Sequence, residues 1–445
     1  MHCPNRFLRI SGFRSLAGAV ALLIVQARPC SVLGAPTSLS KKDAHDDARF
    51  EAEVKLSDVL ALALANSHSL AEVRARVRAG EQQSLAQGRL PDLQFKYEQW
   101  AVPLRRPIDL GSATALMFGV QQVIPPALSA RRQAAAAQAD VWTHNERARR
   151  LDLIAQVRRA YAQYYQSYHQ LGLHREHAGL LTKLLELARA GYQAGRRSQQ
   201  DVLRLSLETA RVHGTLVHME PELRGAKALL NALMNRSLDA PMGPPAGLQA
   251  PTLEPTGVPG QAQDPEKHRP ELAAAEASVR RTEALVQAAR SDARMPSLMV
   301  GLDYMYMPMD AHHQHTYGAM VGIGLPWLSP ARGAEERAAG HQLVAEREAL
   351  QAARLAVRYE VRDAELQWES ARAAFEVLDR DVVVQAGRNF DAARTMYAAG
   401  QSDASALVDA ARVYLEIQVE RVQALAHVET AAANLARARA EETTP

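Results

Sequence analysis

Cysteine is almost absent from the 445-residue sequence, which has Cys3, Cys30 and no other. Neither a disulfide framework nor a zinc site of clustered thiolates can be built from that pair. Aromatic residues make up only 5%, and there is no excess of one charge, since the formal net charge is +3. A chain so balanced carries no basic stripe for nucleic acid. After the N-terminal segment there is no run of eighteen apolar residues, so no membrane-spanning helix is expected there. Enzyme signatures are missing too. There is no Gly-x-Ser-x-Gly, no phosphate-cradling glycine loop, no His-Glu-x-x-His and no zinc-binding cysteine set. The sequence therefore points to a protein that is not an enzyme and needs no cofactor.

What is present begins with an export signal. Arg6, Arg9 and Arg14 precede the apolar run Leu16–Val25, and Val32-Leu33-Gly34-Ala35 offers small residues for cleavage. Residues 1–34 read as a Sec-type signal peptide, with 35–55 as an N-terminal periplasmic segment. The alternative is a buried N-terminal helix. Both cysteines fall inside the signal, so the mature chain would have none. Cys30 follows Ala27-Arg28-Pro29, whereas a lipid-anchored cysteine follows a small residue.

Proline placement divides the rest. None occurs between Ala127 and Glu220 or between Ala331 and Thr444, while residues 241–265 hold seven. Proline breaks helix interiors, so the two proline-free tracts are where very long helices are allowed. Inside them, apolar residues step by three and four: Ile154, Val157, Tyr161, Tyr164, Tyr168, Leu171, and again Val357, Val361, Ala364, Trp368, Ala371, Phe375, Leu378, Val382. That is the heptad seam of helices packed side by side. A helix from Leu128 to Ala190 would be about 90 Å long. Several shorter helices broken near Gly172 and Gly179 are the alternative.

The two halves repeat one plan. Arg89-Leu90-Pro91-Asp92-Leu93 returns as Arg294-Met295-Pro296-Ser297-Leu298, Val157-Arg158-Arg159-Ala160 as Val361-Arg362-Asp363-Ala364, and Tyr192-Gln193-Ala194-Gly195 as Tyr397-Ala398-Ala399-Gly400. The expected organisation is a first repeat over 56–240, a proline-rich linker over 241–268, a second repeat over 269–440 and a short tail over 441–445. Each repeat has a helix, a hairpin (about 93–124 and 298–326), a long helix ending at Tyr-x-x-Gly, and a return helix.

In the hairpins the period falls from 3.6 to 2. Leu298, Val300, Leu302, Tyr304 and Tyr306 alternate with Met299, Gly301, Asp303, Met305 and Met307, and Tyr317, Ala319, Val321, Ile323 and Leu325 alternate with small residues and Met320. Strands of about ten residues with one lipid-compatible face suit a membrane barrel. A half-buried hairpin of a soluble domain is the other reading. Four strands cannot close a barrel, and lipid tolerates no open edge, so several chains would have to pool theirs.

With its doubled helix–hairpin–helix plan, its Val-Arg-x-Ala and its Tyr-x-x-Gly turns, the chain resembles the TolC family of outer membrane efflux channels over Leu56 to about Ala440. The resemblance implies a mainly α fold with a small β part. Long coiled-coil-like helices would form an α-barrel, and four strands per chain would contribute to a trimeric twelve-stranded outer membrane β-barrel. It implies a homotrimer whose helical tips dock a periplasmic adaptor protein and an inner-membrane pump. It also implies acidic gate residues on the return helices, for which Asp201, Asp403 and Asp409 are the candidates. Ala406 stands where some members have a further acid.

The segment Met305-Tyr-Met-Pro-Met-Asp-Ala-His-His-Gln-His-Thr-Tyr-Gly318 crowds soft and borderline ligands together. Met305, Met307, Met309, His312, His313 and His315 are the candidate metal ligands. Met299, Met305, Met307 and Met320 share, by alternation, the face that would line the lumen. These residues lean toward the family's heavy-metal branch and toward copper or silver as cargo. The plainer reading is that methionine fills irregular space and histidine tolerates an exposed loop. His45, with Asp46 and Asp47, is a weaker hint of the same kind. Drug efflux, type I protein secretion and a periplasmic coiled-coil scaffold without a pore are the competing functions.

Overall fold

The structure, a computed structural model, describes residues 50–100, 114–248, 268–307 and 314–442. The expected export signal, His45 to Asp47, Met309, His312 and His313 lie outside the described residues.

The first repeat opens with α1 (Leu56–Asn66) and α2 (His68–Gln87). One helix is expected here; two form because Ser67 leaves the helical region and its Oγ accepts the Leu70 N–H at 3.3 Å, starting a new helix. The hairpin β1 (Gln94–Trp100) and β2 (Ala115–Ile124) follows, then α3 (Leu128–Gln193) and the return helix α4 (Gln199–Leu233). The second repeat has α5 (Pro270–Arg294), β3 (Ser297–Tyr306), β4 (His315–Gly324) and α6 (Pro330–Val377). A π-helical turn, Leu378–Val382, joins α6 to α7 (Val383–Ala398), and α8 (Ala404–Ala438) returns.

α3 runs unbroken for 66 residues, about 99 Å at the α-helical rise. Gly172 and Gly179 lie inside it with open space around them, so the alternative of shorter helices is excluded. The predicted seam is the buried stripe: Val157, Tyr161, Tyr164 and Leu171 in α3, and Val357, Val361, Ala364 and Ala371 in α6. Burying one large apolar side chain contributes about 2 kcal/mol. An exposed ion pair contributes a few tenths. The seam therefore sets how the helices pack, and the many surface Arg–Glu pairs adjust it. α4 continues through Pro221, which lies inside the span expected for the return helix, about Ser198–Met234. The carbonyl left without a donor, on Val217, lies on the exposed side and can turn to water.

The start of the proline-rich segment is tied down. Gly243 N–H donates to Phe50 O and Val54 N–H to Pro244 O, while Tyr161 Oη donates to Val54 O and Tyr164 Oη to Gly243 O. A Cβ on Gly243 would collide with the Glu51 carbonyl. A charge cluster holds the nearby helix ends: Arg437 pairs with Asp152, Glu271 and Glu360, and the buried Arg269 shares Glu271 and Glu360.

The duplication extends to the backbone. Gly195 (φ 64°) and Gly400 (φ 72°) end the two outgoing helices in the left-handed region, and Asn235 (φ 57°) and Ala440 (φ 56°) end the two return helices likewise. All four strands form one antiparallel sheet in the order β1-β2-β3-β4, so β1 and β4 are its edges. Among the described residues, no helix is long and apolar enough to cross a membrane.

Candidate functional site

Two regions carry chemistry: the sheet and the pair of helical tips. In the sheet, register sorts the side chains onto two faces. One face holds Phe95, Tyr97, Phe118, Val120, Leu298, Val300, Leu302, Tyr304, Tyr317, Val321 and Ile323. These residues are apolar and, among the described residues, largely uncovered; Leu302 is 67% and Tyr317 86% exposed. The other face pairs Glu98 with Met117, Met117 with Met305 and Met305 with Thr316. The next rung on it is Lys96, Gly119, Asp303 and Gly318, then Gln94, Gln121, Gly301 and Met320. Lys96 Nζ pairs with Glu98 at 2.9 Å.

Of the sequence-predicted metal ligands, the described Met305 and His315 lie on opposite faces of the sheet. Met305 lies on the polar face, whereas His315 is opposite Tyr306 on the apolar one. There His315 Nδ1 meets Tyr304 Oη at 2.6 Å, and its ring lies against Tyr304 and Tyr306. Met307 donates its N–H to Gln314 O at 2.9 Å, continuing the ladder toward the loop. Among the described residues, no three His, Cys, Asp or Glu side chains come together as a metal cage. Met117 escapes a sequence reading because it sits alone in its own segment; only strand order brings it beside Met305.

At the tips, each long helix ends at its Tyr-x-x-Gly turn and a return helix begins four residues after the glycine. Ser198 and Asp403, one repeat apart, cap the two returns, accepting the N–H of Asp201 at 3.2 Å and of Ala406 at 3.1 Å. Asp201 is buried, and its carboxylate accepts the N–H of Ala404, the first residue of α8, at 3.4 Å. Asp409 is exposed and pairs with Arg204 Nη2 at 3.2 and 3.3 Å. Arg197 reaches over from the first tip, lies 4.0 Å from the Tyr397 ring and donates to Tyr397 O at 2.7 Å. Burial raises the Tyr397 phenol above its ordinary pKa, and the Arg197 charge pulls it partly back. Of the three acidic candidates, Asp201 and Asp403 are thus occupied as caps, and Asp409 presents its carboxylate to the groove between α4 and α8. Arg204 is the residue at the tips that the sequence pattern did not single out. It stands at the position equivalent to Asp409, which the repeat offset reveals.

The profile of the outer membrane efflux protein family matches residues 59–236 and 262–441, one stretch on each half. The chain belongs to that family. Its members are channels and not enzymes, in line with the missing catalytic signatures. Solved outer membrane channels share the fold. The CmeC channel of Campylobacter jejuni is 14% identical with a TM-score of 0.75, covering 86% of this chain and 85% of that one. CusC, described in terms of transmembrane channel formation, is 16% identical at a TM-score of 0.73, covering 88% and 93%. MtrE of Neisseria gonorrhoeae, solved in an open state, is 18% identical at 0.68, covering 87% and 89%. At these identities the likeness is one of fold. No curated protein sequence matches the chain.

Proposed function

We propose that this outer membrane efflux protein is the passive exit duct of a tripartite efflux system. Three copies pool their sheets into a twelve-stranded barrel in the outer membrane, and their long helices form a periplasmic tunnel. The tips engage an adaptor protein and an inner-membrane pump. The observation that carries this reading is the sheet itself: among the described residues, one face is apolar and largely uncovered, the other polar, and both edges are open. A soluble sheet would cover the first face, and lipid requires the edges to be closed by neighbours. Asp409, with Asp201 and Asp403 behind it, is the candidate periplasmic gate.

The cargo reading is a soft metal cation, copper or silver. It is supported by the bias of the second hairpin, where six of the twelve methionines lie between Met295 and Met320, and by the candidates Met305, Met307, Met309, His312, His313 and His315. Cell-associated copper and silver in a deletion strain test it, with the wild-type gene and a triple His312→Ala, His313→Ala, His315→Ala variant as complements. Deletion should raise both metals and the wild type lower them. Unchanged metal with increased sensitivity to organic drugs would move the cargo to drugs; a protein recovered from the periplasm without detergent would remove the channel.

A further inference from the structure

We propose that the polar face of the sheet is a transfer path for a soft monovalent cation, Cu(I) or Ag(I), with Met299 and Met320 as its inner rung, Met117 and Met305 as its outer rung, and Asp303 between them. The inference deepens the cargo reading above and rests on that face being the lumen wall. It moves the ligands from the loop to the strands.

Register builds the inner rung. Met299 is opposite Gly322, and Gly301 is opposite Met320, so the two methionines occupy one diagonal of a four-residue block and two glycines the other. The Met299 methyl lies over Gly322, 3.0 Å from where a Cβ would stand, and the Met320 methyl lies over Gly301 at 3.4 Å. The Met299 thioether is thus laid across the strand pair into space that a Cβ at 322 would crowd, and the Met320 methyl packs over Gly301 at an ordinary contact distance. Diagonal neighbours on one face of a sheet are within reach of long side chains. At the outer rung Met117 and Met305 are directly opposite, where Cβ atoms are about 5 Å apart. The Met305 and Met320 rungs are four residues apart along β3, about 14 Å.

Asp303 lies between them, its carboxylate over Gly119, which has no Cβ to oppose it. With Lys96 already paired to Glu98, Asp303 leaves this stretch of wall one negative charge per chain. The division of labour follows from ligand chemistry. A carboxylate attracts any cation, but neutral thioethers select Cu(I) and Ag(I), while sodium, potassium and magnesium prefer oxygen. Two thioethers and no cage also suit release, which a conduit needs as much as capture. Met117 is buried and Met299, Met305 and Met320 are half-buried, but filling space does not by itself set both inner-rung methionines over glycines on one diagonal of a strand pair.

The test uses full-length protein extracted from outer membranes in detergent, with Ag(I) and, under reducing conditions, Cu(I) competed against a chromophoric chelator. Wild-type protein should take up both ions, and silver X-ray absorption should show a sulfur shell. The volume-conserving pair Met299→Leu, Met320→Leu should weaken uptake at least tenfold, and adding Met117→Leu and Met305→Leu should abolish it. Asp303→Asn should weaken uptake most at low salt. Leucine variants that bind as tightly as wild type overturn the proposal. So does a nitrogen and oxygen shell that disappears in the triple histidine variant, which would return the site to the loop. Wild-type protein that forms potassium-conducting pores but takes up neither ion overturns the path and leaves the channel standing. Protein that forms no pore for any ion overturns the channel reading itself.

Discussion

Asp201, Asp403 and Asp409 look alike in sequence, three acids near the starts of return helices, and the structure gives them different work. Asp201 satisfies the first amide of the opposite return helix, a contact worth about 1 kcal/mol. Asp409 is half exposed and its pair with Arg204 contributes less than about 1 kcal/mol to stability. Replacing Asp201 with Ala should therefore lower the melting temperature, while Asp409→Asn and Arg204→Gln should leave it nearly unchanged and instead raise channel opening in planar bilayers. A marked loss of stability in Asp409→Asn, with no change in opening, would reverse these roles. The capping by Asp403 is legible in the sequence, since an Asp before an alanine-rich helical stretch is a common start. The use of Asp201 is not, because its partner Ala404 is 203 residues away.

Among the elements, the heptad seams are readable because burial follows them closely. The interruption between α6 and α7 leaves a quieter trace. Val157 to Tyr192 spans 35 residues and the equivalent Val361 to Tyr397 spans 36, so the second long helix carries one residue more. The π turn at Leu378–Val382 lies inside that stretch, and a π turn is how a helix absorbs one extra residue without rotating the seam beyond it. Leu378 stays buried at its start, and Arg380 and Asp381 face solvent. Deleting Arg380 should convert the turn to regular α-helix and leave the tip in register, with a stability change within about 1 kcal/mol. Deleting the exposed Glu186 from α3 removes a residue where none is spare. It should turn everything beyond by about 100°, pull Ala188 out of the core and cost several times as much. Thermal melts followed by helical circular dichroism compare the two. Equal costs would mean that the π turn absorbs nothing.

For the whole molecule, the need for several chains to close a barrel follows from the strand count in the sequence alone. Which strands stand at the edges does not, since that depends on β2 pairing with β3 across the two repeats. With the order known, the proposed trimer can be tested atom by atom. Met307 N–H donates to Gln314 O, and bonded pairs alternate along an antiparallel ladder. Met305–Thr316, Asp303–Gly318, Gly301–Met320 and Met299–Gly322 are therefore bonded pairs. The amides of Tyr317, Ala319, Val321 and Ile323 on β4 point away from β3, toward whatever closes that edge. Proline at one of these positions spares the chain's own ladder and removes a donor to the neighbour. Ala319→Pro should keep the helical signal but lose the SDS-resistant trimer on an unheated gel. Gly318→Pro, one residue earlier, should disrupt the hairpin itself, because its amide faces β3. If the Ala319→Pro protein forms trimers as robust as wild type, β4 is not joined to a second copy through these amides, and the twelve-stranded closure must be drawn another way.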